Sequence, residues 1–216
     1  MKHPSVRELF DYWNARRGRR PVPERAEIEP GEIRRVLADT FILSFEPSAG
    51  HPFRIAGTRV CALFSRELKG ESFLDLWSTE SRNDIRDLLK IVADESVGVV
   101  ADVSAATAAS ASAQASVRSL RELGCLQLEL VLLPLSHHGR TDARFLGALA
   151  PSAQPAWLGT SALVDLTLGT YRYVGPALAG TPVPRAFAPR LADGPHIGPH
   201  AGRIRHGLVV YDGGQS

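Results

Sequence analysis

The chain has 216 residues, 44% of them hydrophobic, and a formal net charge of +2; that suits one domain with appendages, or two small ones, with a sizeable core. A charge so near zero gives no general attraction to polyanions, and no apolar run reaches membrane-spanning length or resembles the apolar heart of a secretory leader. Cys61 and Cys125 stand far apart among apolar neighbours, which favours buried free thiols over a disulfide and a reducing, cytoplasmic setting.

Ser5 and Glu8 have the spacing of a capping box, and Val6, Leu9, Phe10 and Trp13 follow on one helical face. Gly18 is the expected stop. This apolar stripe suits packing on a sheet of the same chain, or a contact with a second copy. Arg16, Arg17, Arg19, Arg20 and Arg25 form a basic run. Such a run can neutralise phosphates of nucleic acid or lipid, but no aromatic interleaving or reading motif accompanies it. A cationic helix C-terminus beside a solvated link is the favoured reading, and a nucleic-acid-associated regulator using residues 16–20 is the alternative.

Pro30 is placed to open a short helix through Leu37, with Ile28 and Ile33 as a hydrophobic staple. Residues 40–46 (TFILSFE) are rich in strand formers, 47–50 read as a turn, and 53–56 return as a second strand. Gly57 then suits a backbone conformation closed to other residues, and Thr58 suits the cap of a helix carrying Val60, Leu63 and Phe64. After Gly70 comes a second apolar cluster, Phe73, Leu74, Leu76 and Trp77. Residues 81–95 predict the clearest helix, capped by Ser81 and Asp84, with Ile85, Leu88, Leu89 and Val92 on one face.

Residues 97–103 make a third strand candidate, and 104–116 contain only Ala, Ser, Thr or Gln, side chains too small or polar to anchor a core. Leu126, Leu128, Leu130 and Leu132 alternate along a fourth strand with one strongly apolar face. Residues 134–142 read as a hairpin connection and 143–150 as the partner strand, giving five strands. Residues 153–175 either add a strand or extend past the core. From 176 to 216 Gly and Pro recur and large apolar residues thin out, which predicts a mostly disordered tail, 208–211 (LVVY) excepted. The predicted divisions are thus 1–27, 28–152, 153–175 and 176–216.

Three groups of residues carry a resemblance: Arg54-Ile55-Ala56-Gly57-Thr58-Arg59-Val60, Leu63-Phe64-Ser65-Arg66-Glu67-Leu68-Lys69-Gly70 and Phe73-Leu74-Asp75-Leu76-Trp77. With Tyr12-Trp13, Arg17-Gly18, Glu29-Pro30, Leu133-Pro134-Leu135 and Leu146-Gly147, they resemble a PAS-domain subfamily of alphaproteobacteria, long catalogued as a domain of unknown function. The resemblance implies an α+β fold: a five-stranded antiparallel sheet covered on one face by helices, with a flanking N-terminal helix. It also implies a non-catalytic sensory or regulatory module in bacterial signalling. Such a module works through a small molecule, a signalling protein partner, or a homodimer held by Val6, Leu9, Phe10 and Trp13.

The chemistry in the sequence agrees with a non-catalytic role. There is no nucleophile elbow, phosphate-binding loop or dinucleotide fingerprint. Glu67, Asp75 and Glu129 are scattered rather than paired. Cys61 has Arg59 near it in sequence, which favours a thiolate, but it reads better as a small apolar helix residue. Val60-Cys61-Ala62 lacks the polar-Cys-Arg pattern that a flavin photosensor would imply, and 81–95 contain no His to ligate haem. Both cofactors are disfavoured. His196, His200 and His206, and the adjacent His137 and His138, read as loop residues rather than metal ligands.

A PAS-like fold would enclose a space walled by Phe41, Leu43, Phe53, Ile55, Phe64, Phe73, Trp77, Ile85, Leu89, Leu128 and Leu130. These side chains either line a ligand pocket or fill the space at ordinary density. Arg54 and Arg59, at the strand-to-helix junction, are placed either to meet an anionic ligand or to bridge to local carboxylates, and the bridge is the favoured reading.

Overall fold

The computed structural model describes residues 1–107, 125–137, 140–156, 158–175, 203–205 and 208–210. The first of its two units spans Met1–Pro184. It contains helix α1 (Pro4–Arg17), strands β1 (Thr40–Ser44) and β2 (Phe53–Ala56), helices α2 (Thr58–Leu63) and α3 (Thr79–Glu95), then strands β3 (Gly98–Thr107), β4 (Leu126–His137), β5 (Arg140–Pro151) and β6 (Leu163–Val174). The strands form one sheet in the order β2-β1-β5-β4-β3-β6. Every pairing is antiparallel. The five expected strands are present, and β6 makes a sixth by pairing along β3 from Gly98↔Val174 to Thr107↔Leu163.

Helices cover both faces of this sheet. One face carries α2 and α3, with Val60, Leu63, Phe64, Ile85, Leu88, Leu89 and Val92 in one apolar cluster with Leu128, Leu130 and Leu132. The other carries α1, whose Val6, Leu9 and Trp13 pack with Val131, Leu133, Leu135, Leu146 and Ala148. Strand β4 is therefore apolar on both sides, not on one. Its residues 128–135 are all buried, as a strand between two layers requires. Each large side chain so covered contributes roughly 1.5–3 kcal/mol of transfer free energy.

The ends of α1 are tied down by polar groups. His3 caps it, its Nδ1 accepting from Ser5 N–H at 3.1 Å, so Ser5 is a first-turn residue and not the expected cap. The Glu129 carboxylate, nearly buried on β4, accepts the backbone N–H groups of Lys2 and His3 at 2.8 and 2.7 Å. At the other end Gly18 takes a positive φ of 56° and stops the helix. Between these, Trp13 Nε1 donates to the Pro134 carbonyl at 2.9 Å. Pro134 was expected in a hairpin connection but lies inside β4. It sits past the last β3 pair, Val99↔Leu132, where a missing N–H costs no bond to that strand.

Other local expectations shift for identifiable reasons. Residues 30–36 form turns followed by a single 3-10 turn, Leu37–Asp39, in place of the short helix, although Ile28 and Ile33 are both buried under α1. Gly57, not Thr58, is the N-cap of α2, and its φ is an ordinary −69°. Its glycine is required by space: a Cβ there would sit 2.3 Å from the Leu37 carbonyl oxygen and 2.4 Å from that of Ala38. Helix α3 begins earlier than predicted, capped by Ser78, which frees the Ser81 hydroxyl to accept from Leu168 N–H of β6 at 3.0 Å.

No helix among the described residues is long and apolar enough to cross a membrane. The second unit, Arg185–Ser216, is described only at two short antiparallel strands, β7 (Arg203–Arg205) and β8 (Leu208–Val210). The rest of the predicted tail, and most of the link at 104–116, lie outside the described residues.

Candidate functional site

The face beneath α2 and α3 gathers ten of the eleven wall residues into one cluster. Phe41, Phe53 and Phe73 stand with ring centroids 5.5–5.7 Å apart, and Trp77 continues the series at 5.7 Å from Phe73. These edge-on and offset contacts are the favoured arrangements of aromatic rings. Gly147 of β5 makes room for the Phe41 ring, which lies 2.3 Å from where a Cβ would be. The aromatic side chains thus pack against one another at contact distance between sheet and helices.

Ile55 is the exception and is 46% exposed. Along β1–β2 the pairing steps from Ile42↔Ile55 to Leu43↔Phe53, so Arg54 is the extra residue of a bulge. Phe53 keeps the helix-covered face with Leu43, while Ile55 goes with Ile42 to the other face, at an edge that α1 leaves open. Simple alternation put both on one side.

Two polar groups in this region escaped the sequence reading. The Trp77 ring is 1% exposed, yet no acceptor meets its Nε1–H among the described residues. His51 is also 1% exposed, packed against Phe45 and Phe145 at 5.3 and 5.9 Å, and its Nδ1 is unpartnered too. Burial pushes the His51 imidazole below its ordinary value of 6.5, with Arg86 adding to the effect and Ser44 and Glu46 opposing it. The available signal was the turn between β1 and β2, where His51 takes a φ of 58°; a spacing rule cannot register that.

The two junction arginines form the expected bridges. Arg59 holds Asp39 in a fork, Nε to Oδ1 and Nη2 to Oδ2, both at 2.6 Å, and Asp39 pushes the guanidinium above its ordinary value. Asp39 itself is 2% exposed and also accepts the Ser5 hydroxyl of α1 at 2.7 Å. Arg54 reaches Glu46 at 3.7 Å.

In the basic run, Arg16 pairs with Glu32, and Arg20 with Glu27 at 2.9 Å. Arg17 bonds Asn14 and lies over the Trp13 ring at 5.5 Å. These partners draw the run onto its own chain, so nothing in the arrangement favours the nucleic-acid alternative.

Of the α1 stripe, Val6, Leu9 and Trp13 are fully covered by the chain's own sheet and Phe10 is half-buried. With α1 docked, these side chains are a layer of the core rather than a surface. Cys61 and Cys125 are free, as expected, but Cys125 is exposed. Burial, with Glu67 close by, raises the Cys61 thiol, which opposes nucleophilic chemistry there. Three or more potential metal ligands do not converge anywhere among the described residues. His138, His196, His200 and His206 lie outside them.

A family model described as a PAS domain matches residues 1–150, from α1 almost to the end of β5. Searches of curated proteins and of solved structures find no match to the chain. The family match covers more than two thirds of the chain, and the antiparallel sheet with its helical cover agrees with it. The chain belongs to the PAS-domain family, a family of generic sensory and signalling modules.

Proposed function

We propose that this chain is a non-catalytic, cytoplasmic sensor of a small molecule, which binds beneath α2 and α3 and reports to a protein partner through α1. The observation that carries this reading is the Trp77 Nε1–H, a buried donor without an acceptor among the described residues, at the end of an aromatic cluster. Buried donors are ordinarily paired, because leaving one unpaired costs about 1–3 kcal/mol. A ligand acceptor at Trp77 removes that cost, and insertion beside the rings forces them to repack. The filled and the liganded cores are then two states with different affinity for ligand, as signalling requires.

The reporting element follows from the layering. Val131 and Leu133 touch the α1 side while Leu130 and Leu132, their neighbours on β4, touch the side beneath α2 and α3. Release of α1 exposes Val6, Leu9, Phe10 and Trp13 to a partner or to a second copy, so the expected homodimer belongs to the released state.

Native mass spectrometry of freshly purified protein, with an absorbance scan, tests the sensing step. The expected result is a small molecule retained by the wild type and lost from Trp77→Phe. Retention unchanged in Trp77→Phe, or bare polypeptide in both together with no thermal shift across a metabolite panel, contradicts it.

A further inference from the structure

A second place on the molecule has the chemistry of a binding site, and it does not rest on the Trp77 reading. A half-open groove of about 210 Å³ runs between His3 before α1, Asp39 before β1, Arg59 and Leu63 on α2, and Gln154 and Leu158 after β5. We propose that it binds a small organic acid, a carboxylate on a short apolar body, through Arg59.

The polarity of the groove selects this class. Arg59 carries five N–H donors, and its bonds to Asp39 engage Nε and one Nη2 hydrogen. The remaining donors belong to a side chain 40% exposed, whereas the Asp39 side chain is 2% exposed. His3 accepts through Nδ1, which leaves Nε2 to carry the ring N–H, a further donor. Gln154 and Ser152 supply an amide and a hydroxyl, and Leu63 and Leu158 an apolar wall. A cation would find a carboxylate already accepting from Arg59 and Ser5. A wholly apolar guest would strip water from donors and pair none of them.

Size narrows the class further. A volume of about 210 Å³ equals roughly seven waters at about 30 Å³ each, below the usual range for drug-sized ligands. A short acid fits within this space, whereas a nucleotide would extend well beyond the half-open groove. The location also has a consequence. Asp39 accepts both Arg59 and the Ser5 hydroxyl of α1, so an acid on the free donors of Arg59 competes with Asp39 for its charge and acts on the contact that pins the start of that helix.

The test is a titration of the full chain with butyrate, and with butyramide as its uncharged match, followed by amide and arginine Nε–H resonances. Butyrate is expected to give saturable shifts at Arg59 Nε–H and at residues 152–154, with butyramide giving none. Arg59→Gln should weaken butyrate by at least about tenfold, as loss of a charge-assisted fork implies. Asp39→Asn, which keeps the shape and frees Arg59, should tighten it. No saturable shift in the wild type, equal shifts with butyramide, or wild-type affinity in a folded Arg59→Gln protein overturns the proposal. An Asp39→Asn protein that binds no tighter overturns the competition for Arg59. The wild-type titration with its butyramide control decides the matter if either variant fails to fold.

Discussion

His51 shows how one side chain sets a pH dependence. Its folded-state value lies below the ordinary 6.5 because burial disfavours the imidazolium. The unfolded chain therefore binds the extra proton first, and the native state loses stability as pH falls below about 6.5, levelling off below the folded-state value. Urea midpoints measured between pH 8 and pH 5 should drop, and His51→Leu should flatten that slope; an equal slope in both proteins would assign it to other groups. Leu89, 0% exposed at the centre of the helix-covered cluster, should cost about 2–5 kcal/mol when changed to Ala, read by urea unfolding. The helix-facing apolar residues were legible in the sequence because their spacing reports burial directly. Ile55 was not, because one bulge residue reverses the face of everything beyond it. The polar groups Trp77 Nε1 and His51 Nδ1 were not legible either, since a missing partner is a property of three-dimensional surroundings.

At the scale of elements, glycines divide by what surrounds them. Gly57→Ala forces a Cβ against two backbone carbonyls that cannot rotate aside, whereas Gly31→Ala meets nothing within 4 Å. Thermal melts should show a loss of about 1–3 kcal/mol or more for the first and little change for the second. Trp13→Phe removes the bond from Nε1 to Pro134, leaving that carbonyl unpaired under α1. Hydrogen exchange should speed up across α1 by the equivalent of about 1–3 kcal/mol while α3 changes little; equal acceleration in both helices would mean that α1 opens only with global unfolding. Helix existence was readable from periodicity, and helix starts were not. Ser5, Thr58 and Ser81 all have capping chemistry, yet His3, Gly57 and Ser78 hold those positions. The difference lies in tertiary bonds: Ser5 turns to Asp39 and Ser81 to β6.

For the whole molecule, the decisive feature is that one sheet serves two helical layers. The sequence made β4 apolar on one face, because Gln127 and Glu129 interrupt the other. The structure shows that face continuing through Val131, Leu133 and Leu135 beneath α1, with Glu129 receiving the backbone ahead of that helix. Repacking on one side of such a strand displaces residues that support the other. The central claim is therefore coupling between the core beneath α2 and α3 and the docking of α1. Hydrogen exchange on the α1 amides, compared between protein carrying the proposed small molecule and protein stripped of it by unfolding and refolding, tests this most directly. A change in α1 protection on stripping is the predicted result; identical α1 exchange in the two samples would contradict it.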